Sequence, residues 1–398
     1  MERSGRLVLH GARKVDAEGV VEDFWLLAVD GVIVEVGTGR GWERVAEGAP
    51  VHDAGGLTAT PGFVDLHVHG GAGRSFDEGA EGMRAALELH RAHGTTRSLV
   101  SLVSAPLHEL EASLDTAASL VAEDPLVLGA HLEGPFLAPS RCGAHDPEAL
   151  IAPTPVAVER LLDAARGRLR QITIAPELPG ALAAIERLRE AGVVVAVGHT
   201  EADAGTTRAA IERGARLVTH AFNAMPGIGH RSPGPIPVAL ADERVVLELI
   251  LDGEHVDADV ARIAFASAPG RIALVTDAMA AAGAGDGAHR IGRLRVDVRD
   301  GVARLAGTAT LAGSTLTLDA AVRRAAGAVG PGVGLGLEAA VGAVTATPAR
   351  VLGEADRLGS LAVGRAADVV LLDDELRVRA VWAAGASAFL PRGDLPGR

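Results

Sequence analysis

Eight short segments of this chain read as buried β-strands, and patterns of helical period separate most of them. The strand segments are 62–69, 96–103, 126–133, 171–175, 193–199, 217–220, 245–251 and 272–277. Helical patterns fall at 107–122, 155–166, 180–191, 202–213, 257–268 and 315–328. The run 193–197 is apolar at every position, as expected of a parallel strand covered on both faces. Parallel neighbours need long crossovers, and alternation of strand and helix supplies them, so the pattern predicts an α/β fold, a (β/α)8 TIM-like barrel. Six of the eight segments end in, or just before, a residue that can bind a metal or move a proton. These residues are His67 and His69, Glu133, His199, His220, His255 just beyond the seventh segment, and Asp277. A barrel of this kind gathers its catalytic groups at the C-terminal ends of its strands. The expected activity is therefore that of a metal-dependent hydrolase.

The rhythm changes at both ends of the chain. Residues 1–59 carry short β patterns between glycine turns, at 7–9, 24–29 and 32–36, and residues 355–398 resume them at 367–372 and 378–383. The expected organisation is a catalytic barrel over 60–354 and a small β-sandwich assembled from 1–59 and 355–398. A β-hairpin of 291–298 and 302–305, turning at Arg299, Asp300 and Gly301, is expected as an insertion after the eighth strand.

Composition narrows the partners. A formal charge of −13 over 398 residues argues against nucleic acid, whose phosphates need a basic face. Cys142 is the only cysteine, which excludes an intrachain disulfide and fits a reducing cytoplasm; a small buried hydrophobe is its expected role. Residues 1–9 lack the form of a secretory signal, and no apolar run reaches membrane-span length, so a cytoplasmic location without a membrane partner is expected. Lys14 is the only lysine and lies before the barrel. A carboxylated lysine therefore cannot bridge two metals here, and a carboxylate such as Glu133 would have to.

Side chains alternate faces along a strand. In Phe63-Val64-Asp65-Leu66-His67-Val68-His69 the valines and Leu66 point to the helices, and Asp65, His67 and His69 point into the barrel. Polar groups there destabilise the fold unless they are paired or bind a metal, and two imidazoles on one face can share an ion. An isolated His-x-His is as readily a pair of hydrogen-bonded interior histidines. Glu133 closes a strand before the turn Gly134-Pro135, and a buried glutamate needs a partner. His131, one step deeper, is expected to be a hydrogen-bonding residue behind the ligands. Glu133, His199 and His220 together form a common catalytic zinc set that leaves room for water. Asp277, at the end of the last strand, can take a proton from that water and return it to a leaving amine. His10, His52, His90, His93, His108 and His289 are expected at the surface or at helix caps.

Taken together, these residues resemble the N-acetylglucosamine-6-phosphate deacetylases of the amidohydrolase superfamily. The resemblance runs through 61–71, 131–136, Gly143-Ala144-His145, Gly198-His199-Thr200, 219–226, 230–234, 252–256, 275–279 and 311–316. It implies that Glu133, His199 and His220 hold the principal divalent metal, with zinc expected and iron, manganese or cobalt as alternatives. It makes Asp277 the acid/base and His255 the contact to the acetyl carbonyl. Asn223 and Ala224 correspond to contacts to the sugar phosphate, and Ala144, His145 and the backbone of Leu311, Ala312 and Gly313 to further substrate contacts. Arg231 corresponds to a residue that reaches the phosphate in a neighbouring subunit, which implies a homodimer. This chain keeps His67 and His69, as two-metal members do, so one or two ions per subunit are expected. The implied reaction converts N-acetylglucosamine 6-phosphate to glucosamine 6-phosphate and acetate, in amino-sugar catabolism. The alternatives are the galactosamine epimer, another amidohydrolase such as an aminoacylase, and a non-catalytic assembly protein on the same fold.

Overall fold

Strands that are apolar on both faces need cover on both, and closing them into a ring surrounded by helices supplies it. A computed structural model of the chain describes residues 5–329 and 332–390. Eight parallel strands lie side by side in sequence order: β1 Phe63–Asp65, β2 Thr95–Val103, β3 Val127–Glu133, β4 Leu169–Ile174, β5 Val194–Val197, β6 Leu217–Val218, β7 Val246–Ile250 and β8 Ile272–Val275. A parallel bridge between Val68 and Ala278 brings the ends of the series together, and the N–H groups of His69 and Gly70 donate to the Ala278 carbonyl at 2.8 and 2.9 Å. The fold is thus a (β/α)8 TIM-like barrel accompanied by a β-sheet domain drawn from both termini.

The helices begin where side chains can cap them. Thr154 accepts from Ala157 N ahead of Pro155–Ala164, Asp203 from Thr206 N ahead of Ala204–Arg213, and Asp257 from Asp259 N ahead of Ala258–Ser267. Each cap satisfies a donor that the first turn leaves unpaired. The pattern 202–213 therefore starts two residues later than the sequence predicts, because Asp203 caps the helix and is not inside it. The pattern 155–166 stops at Ala164, since Arg166 turns into the left-handed region with φ 48°. The expected hairpin is a three-stranded antiparallel sheet. Leu294–Arg299 pairs with Val302–Leu305 as expected, while Gly292, at φ 50°, turns the chain so that Ile291 ends an additional strand, Gly287–Ile291, paired with Leu294–Arg299.

By contacts, the described residues divide into two compact units. One takes in the described parts of Met1–Val64, His90–Arg97 and Leu318–Arg398, and the other takes in Asp65–Leu89 and Ser98–Thr317. Residues 1–4 and 391–398, which belong to the two terminal segments expected from sequence, lie outside the described residues. In the first unit, Arg6–Asp16 pairs with Gly19–Val29 and Thr58–Pro61, and Thr58–Pro61 pairs in turn with Val369–Leu372, so both termini share one sheet. Leu9, Leu26, Ile33, Val369, Leu371 and Trp382 form its core. A buried ion pair joins Arg97 to Asp368, with Nε–Oδ2 2.6 Å and Nη2–Oδ1 3.0 Å. In the second unit Val68, Leu102, Leu132, Ile172 and Val195 pack with Phe76, Leu110 and Leu161.

Two expectations fail on burial. His90 is fully buried, not a surface residue, because it continues the buried stripe Met83, Ala86, Leu87 at helical spacing. Cys142 is only half-buried, on the loop after Pro139–Arg141, and is not a core hydrophobe. No described helix is long and apolar enough to cross a membrane.

Candidate active site

The strand ends deliver their polar side chains to one buried cluster. Glu133, from the end of β3, lies at its centre. Its Oε1 is 3.1 Å from His199 Nε2, 2.9 Å from His220 Nε2 and 3.5 Å from His67 Nε2. Its Oε2 is 3.2 Å from His69 Nε2 and 3.1 Å from His145 Nε2. Asp277 Oδ1 completes the first-strand side, 3.2 Å from His69 Nε2 and 3.5 Å from His67 Nε2. The alternation expected of β1 is met, with His67 and His69 in the cluster and Val68 in the hydrophobic core.

Several of these residues leave their strands in strained backbone. His199, His220 and Asp277 have φ of 47°, 25° and 48°, a left-handed region unfavourable for residues with a Cβ. The ladders of β5, β6 and β8 accordingly end two residues before these side chains, earlier than the apolar runs predict. The left-handed turn takes each side chain out of the strand's alternation.

Hydrogen bonds on the far side of each ring decide which nitrogen faces the cluster. His199 Nδ1 lies 2.7 Å from the Arg141 carbonyl, His69 Nδ1 3.2 Å from the Ser101 carbonyl and His67 Nδ1 3.2 Å from Glu248 Oε2. An oxygen acceptor at Nδ1 places the proton there and leaves the Nε2 lone pair facing inward. Those lone pairs meet each other and carboxylate oxygens. His67 and His69 Nε2 are 3.0 Å apart, as are His199 and His220 Nε2. Such acceptors repel unless a cation lies among them, so this donor set fits a divalent metal. In two groupings the nitrogen and oxygen atoms all lie within 4.8 Å of one another: His67, His69, Glu133 and Asp277, and Glu133, His145 and His199. His220 Nδ1 has no partner among the described residues, so its tautomer is not fixed from behind.

His145 differs from the other rings. The Ser104 N–H donates to its Nδ1 at 3.2 Å, so its proton sits on Nε2 and points at Glu133. Burial lowers its pKa to about 4, outweighing the pull of Glu133, and the ring is a neutral donor. His131 is also neutral: burial, reinforced by repulsion from His67 whenever that ring is protonated, holds its pKa well below the usual value. It spans Ser101 Oγ and Thr173 Oγ1, each at 3.0 Å, as expected of a hydrogen-bonding residue behind the ligands. Without a cation, burial disfavours the charged ring of His69, but Asp277 and Glu133 accept from its Nε2 and raise its pKa to about 9, so a metal bound there would take the place of that proton. Burial opposes the charge on Glu133 too, and the surrounding imidazoles still hold it well below the carboxylate range.

The cluster forms the floor of a cavity of about 430 Å³, a size suited to a small ligand. Ala144, His145, Asn223, Ala224, His255, Leu311 and Gly313 line it, and so do Glu133, His199, His220 and Asp277. His67 and His69 are buried behind this floor, and Ala312 is buried with its N–H bonded to the Ala303 carbonyl. Arg231 does not line the cavity; its exposed guanidinium reaches His230 Nε2 at 2.8 Å. His255 Nδ1 lies 2.7 Å from Asp252 Oδ2. Burial opposes its charge, but this hydrogen bond outweighs it and raises the pKa above 6.5.

Sequence reasoning missed several polar partners. Asp252 steadies His255, Thr276 Oγ1 donates to Asp65 Oδ2 at 2.6 Å, and Glu248 and Gln171 stand behind His67. Glu248 carries the clearest overlooked signal: a carboxylate in the middle of the apolar strand β7, Val-Leu-Glu-Leu-Ile, must find partners in the interior.

Comparison with known proteins agrees with this geometry. Residues 58–390 match the amidohydrolase family. The N-acetylgalactosamine-6-phosphate deacetylase of Escherichia coli O157:H7 is 37% identical over 95% of this chain and 98% of its own length. The N-acetylglucosamine-6-phosphate deacetylase of Bos taurus is 37% identical over 84% of each chain. Among solved structures, a mutant N-acetyl-D-glucosamine-6-phosphate deacetylase from Mycobacterium smegmatis, in complex with N-acetyl-D-glucosamine-6-phosphate, is similar with a TM-score of 0.90. It is 42% identical over 96% of this chain and 99% of its own.

Proposed function

The chain belongs to the amidohydrolase family, and on that premise we propose that it removes the N-acetyl group of N-acetylglucosamine 6-phosphate, releasing acetate and glucosamine 6-phosphate. The observation that carries the reading is the set of inward lone pairs of His199 and the carboxylates of Glu133 and Asp277, on the floor of a cavity lined by Asn223, Ala224 and His255. Glu133, His199 and His220 would hold the principal ion, and His67 and His69 a second, with Glu133 between the two sets. A divalent ion there supplies Lewis acidity towards the acetyl carbonyl and the attacking water; zinc is the ion we favour.

The remaining steps belong to side chains. Asp277 takes a proton from the attacking water at its carboxylate and returns it to the departing amine. His255, whose Nδ1 is committed to Asp252, turns Nε2–H towards the charge that develops on the acetyl oxygen. His145 and the backbone of Leu311, Ala312 and Gly313 contact the sugar. The 6-phosphate needs a cation in an acidic protein. Arg231 is exposed and does not line its own cavity, so we assign it to the phosphate bound by a partner subunit in a homodimer. A cytoplasmic setting suits this substrate.

A second reading is favoured by one observation: the Escherichia coli relative named for the galactosamine epimer matches this chain as well as the glucosamine enzyme of Bos taurus does. The test is acetate release from N-acetylglucosamine, N-acetylgalactosamine and the 6-phosphate of each. The proposal expects fastest release from N-acetylglucosamine 6-phosphate. Preference for the galactosamine phosphate would transfer the assignment to the epimer, and release from none of the four would remove it.

A further inference from the structure

Glu248 sits at the middle of β7 with no exposure, and its carboxylate points into the barrel. Three donors from three other strand regions converge on it. Gln171 Nε2, from β4, donates to Oε1 at 2.8 Å. His67 Nδ1, beyond β1, lies 3.2 Å from Oε2, and the backbone N–H of His220, beyond β6, donates to the same oxygen at 3.3 Å. Gln171 Oε1 has no partner among the described residues. The amide gives up its own acceptor in order to turn a donor to Glu248, because its carbonyl facing the carboxylate would be repelled.

The contact to His67 has a chemical consequence. An imidazole binds a cation only through a nitrogen without a proton, and the partner of the other nitrogen decides which one that is. Glu248 accepts from Nδ1, so Nε2 stays bare and is aimed at His69, Glu133 and Asp277. Glu248 is the only hydrogen-bond partner of His67 Nδ1 among the described residues, so without it nothing there would keep the proton away from the cluster. We propose that Glu248, braced by Gln171, is the positioning residue that makes His67 a metal ligand, so that a second ion depends on a side chain that never touches it. This rests on the reading that the His67 and His69 pair holds an ion.

The test is metal binding, not turnover. Wild-type protein and the His67→Ala, Glu248→Leu and Glu248→Gln variants are dialysed to equilibrium against buffered zinc, and bound metal is measured by mass spectrometry across free-zinc concentrations. Wild type is expected to bind two ions per chain and His67→Ala one. Glu248→Leu, which fills the space but accepts nothing, should weaken the second ion roughly 10- to 100-fold and the first far less, since only the backbone N–H of His220 loses an acceptor there. Retention of the first ion shows that the barrel has folded. Glu248→Gln keeps a carbonyl to accept from Nδ1 and should recover most of the loss. Unchanged binding of both ions by Glu248→Leu would overturn the proposal, as would equal loss of both, or a Gln variant no better than Leu. A single ion in wild type, indifferent to His67→Ala, would remove the premise itself, and it would show before any Glu248 variant is measured.

Discussion

Which nitrogen of each ring carries the proton sets the chemistry of this cluster residue by residue. His67, His69 and His199 give up Nδ1–H to oxygen acceptors and face the site with lone pairs, whereas His145 accepts from Ser104 and faces it with a proton. Chemically identical side chains thus take opposite parts. Sequence indicates that a histidine stands at a strand end, and it is silent on the tautomer, since the deciding partners lie tens of residues away. Asp277 is the acid/base assignment. Asp277→Asn should lower kcat roughly 10²- to 10⁴-fold with metal content intact, and near-normal turnover would remove that role. His255 gives a prediction in pH. Burial disfavours its charged form, Asp252 outweighs burial, and the imidazolium persists above the ordinary 6.5, to be lost as pH rises through the raised value. Asp252→Asn removes the partner, so the alkaline limb of kcat/KM should move to lower pH. An alkaline limb that does not move would show that His255 does not act as a cation.

The strands were legible as elements because their interior positions are apolar, and their ends were not. The ladders stop at Val197, Val218 and Val275, and left-handed residues then carry His199, His220 and Asp277 to the site. Strain of that kind is held by surrounding packing and leaves no periodic trace in sequence. Gly198 shows how tight the packing is. A Cβ there would stand 2.7 Å from Thr219 Cβ and 2.8 Å from Thr173 Cγ2, inside the barrel and one residue before His199. Gly198→Ala should therefore destabilise the fold by roughly 1–3 kcal/mol and shift His199 enough to weaken metal binding. Chemical denaturation with and without metal measures both. A change below about 0.5 kcal/mol, the range of ordinary surface substitutions, would contradict the packing argument. The hairpin turning at Asp300 and Gly301 stands as expected, but its third strand was not legible: Gly292 is one glycine among 50 in the chain, and nothing in its neighbours marks it as a turn.

At the scale of the whole molecule, alternation of strand and helix made the barrel readable, and the β patterns at both termini made the shared sheet readable. The homodimer proposed above leaves no mark in either pattern. We propose the division into a barrel over 60–354 and a domain from the two ends as the working description of the chain. Under the proposed homodimer, Arg231 would tie the site to assembly. Arg231→Ala should raise KM for the phosphorylated sugar about 10- to 100-fold, the equivalent of roughly 1.5–3 kcal/mol for a charge-assisted contact, with little effect on the unphosphorylated sugar. Mixing Arg231→Ala with Asp277→Asn subunits should restore part of the activity, since one site of each mixed dimer would hold both residues. Mixed dimers without activity would place Arg231 in its own subunit's site or outside the reaction. The central claim is that the barrel-end cluster is a metal-dependent sugar-phosphate deacetylase centre. Its most direct test is acetate release from N-acetylglucosamine 6-phosphate as zinc is returned stepwise to chelator-treated protein. The account predicts no turnover without metal, and a rise that levels off once one or two ions per chain are bound. Turnover unaffected by chelation, or none at full loading, would contradict it.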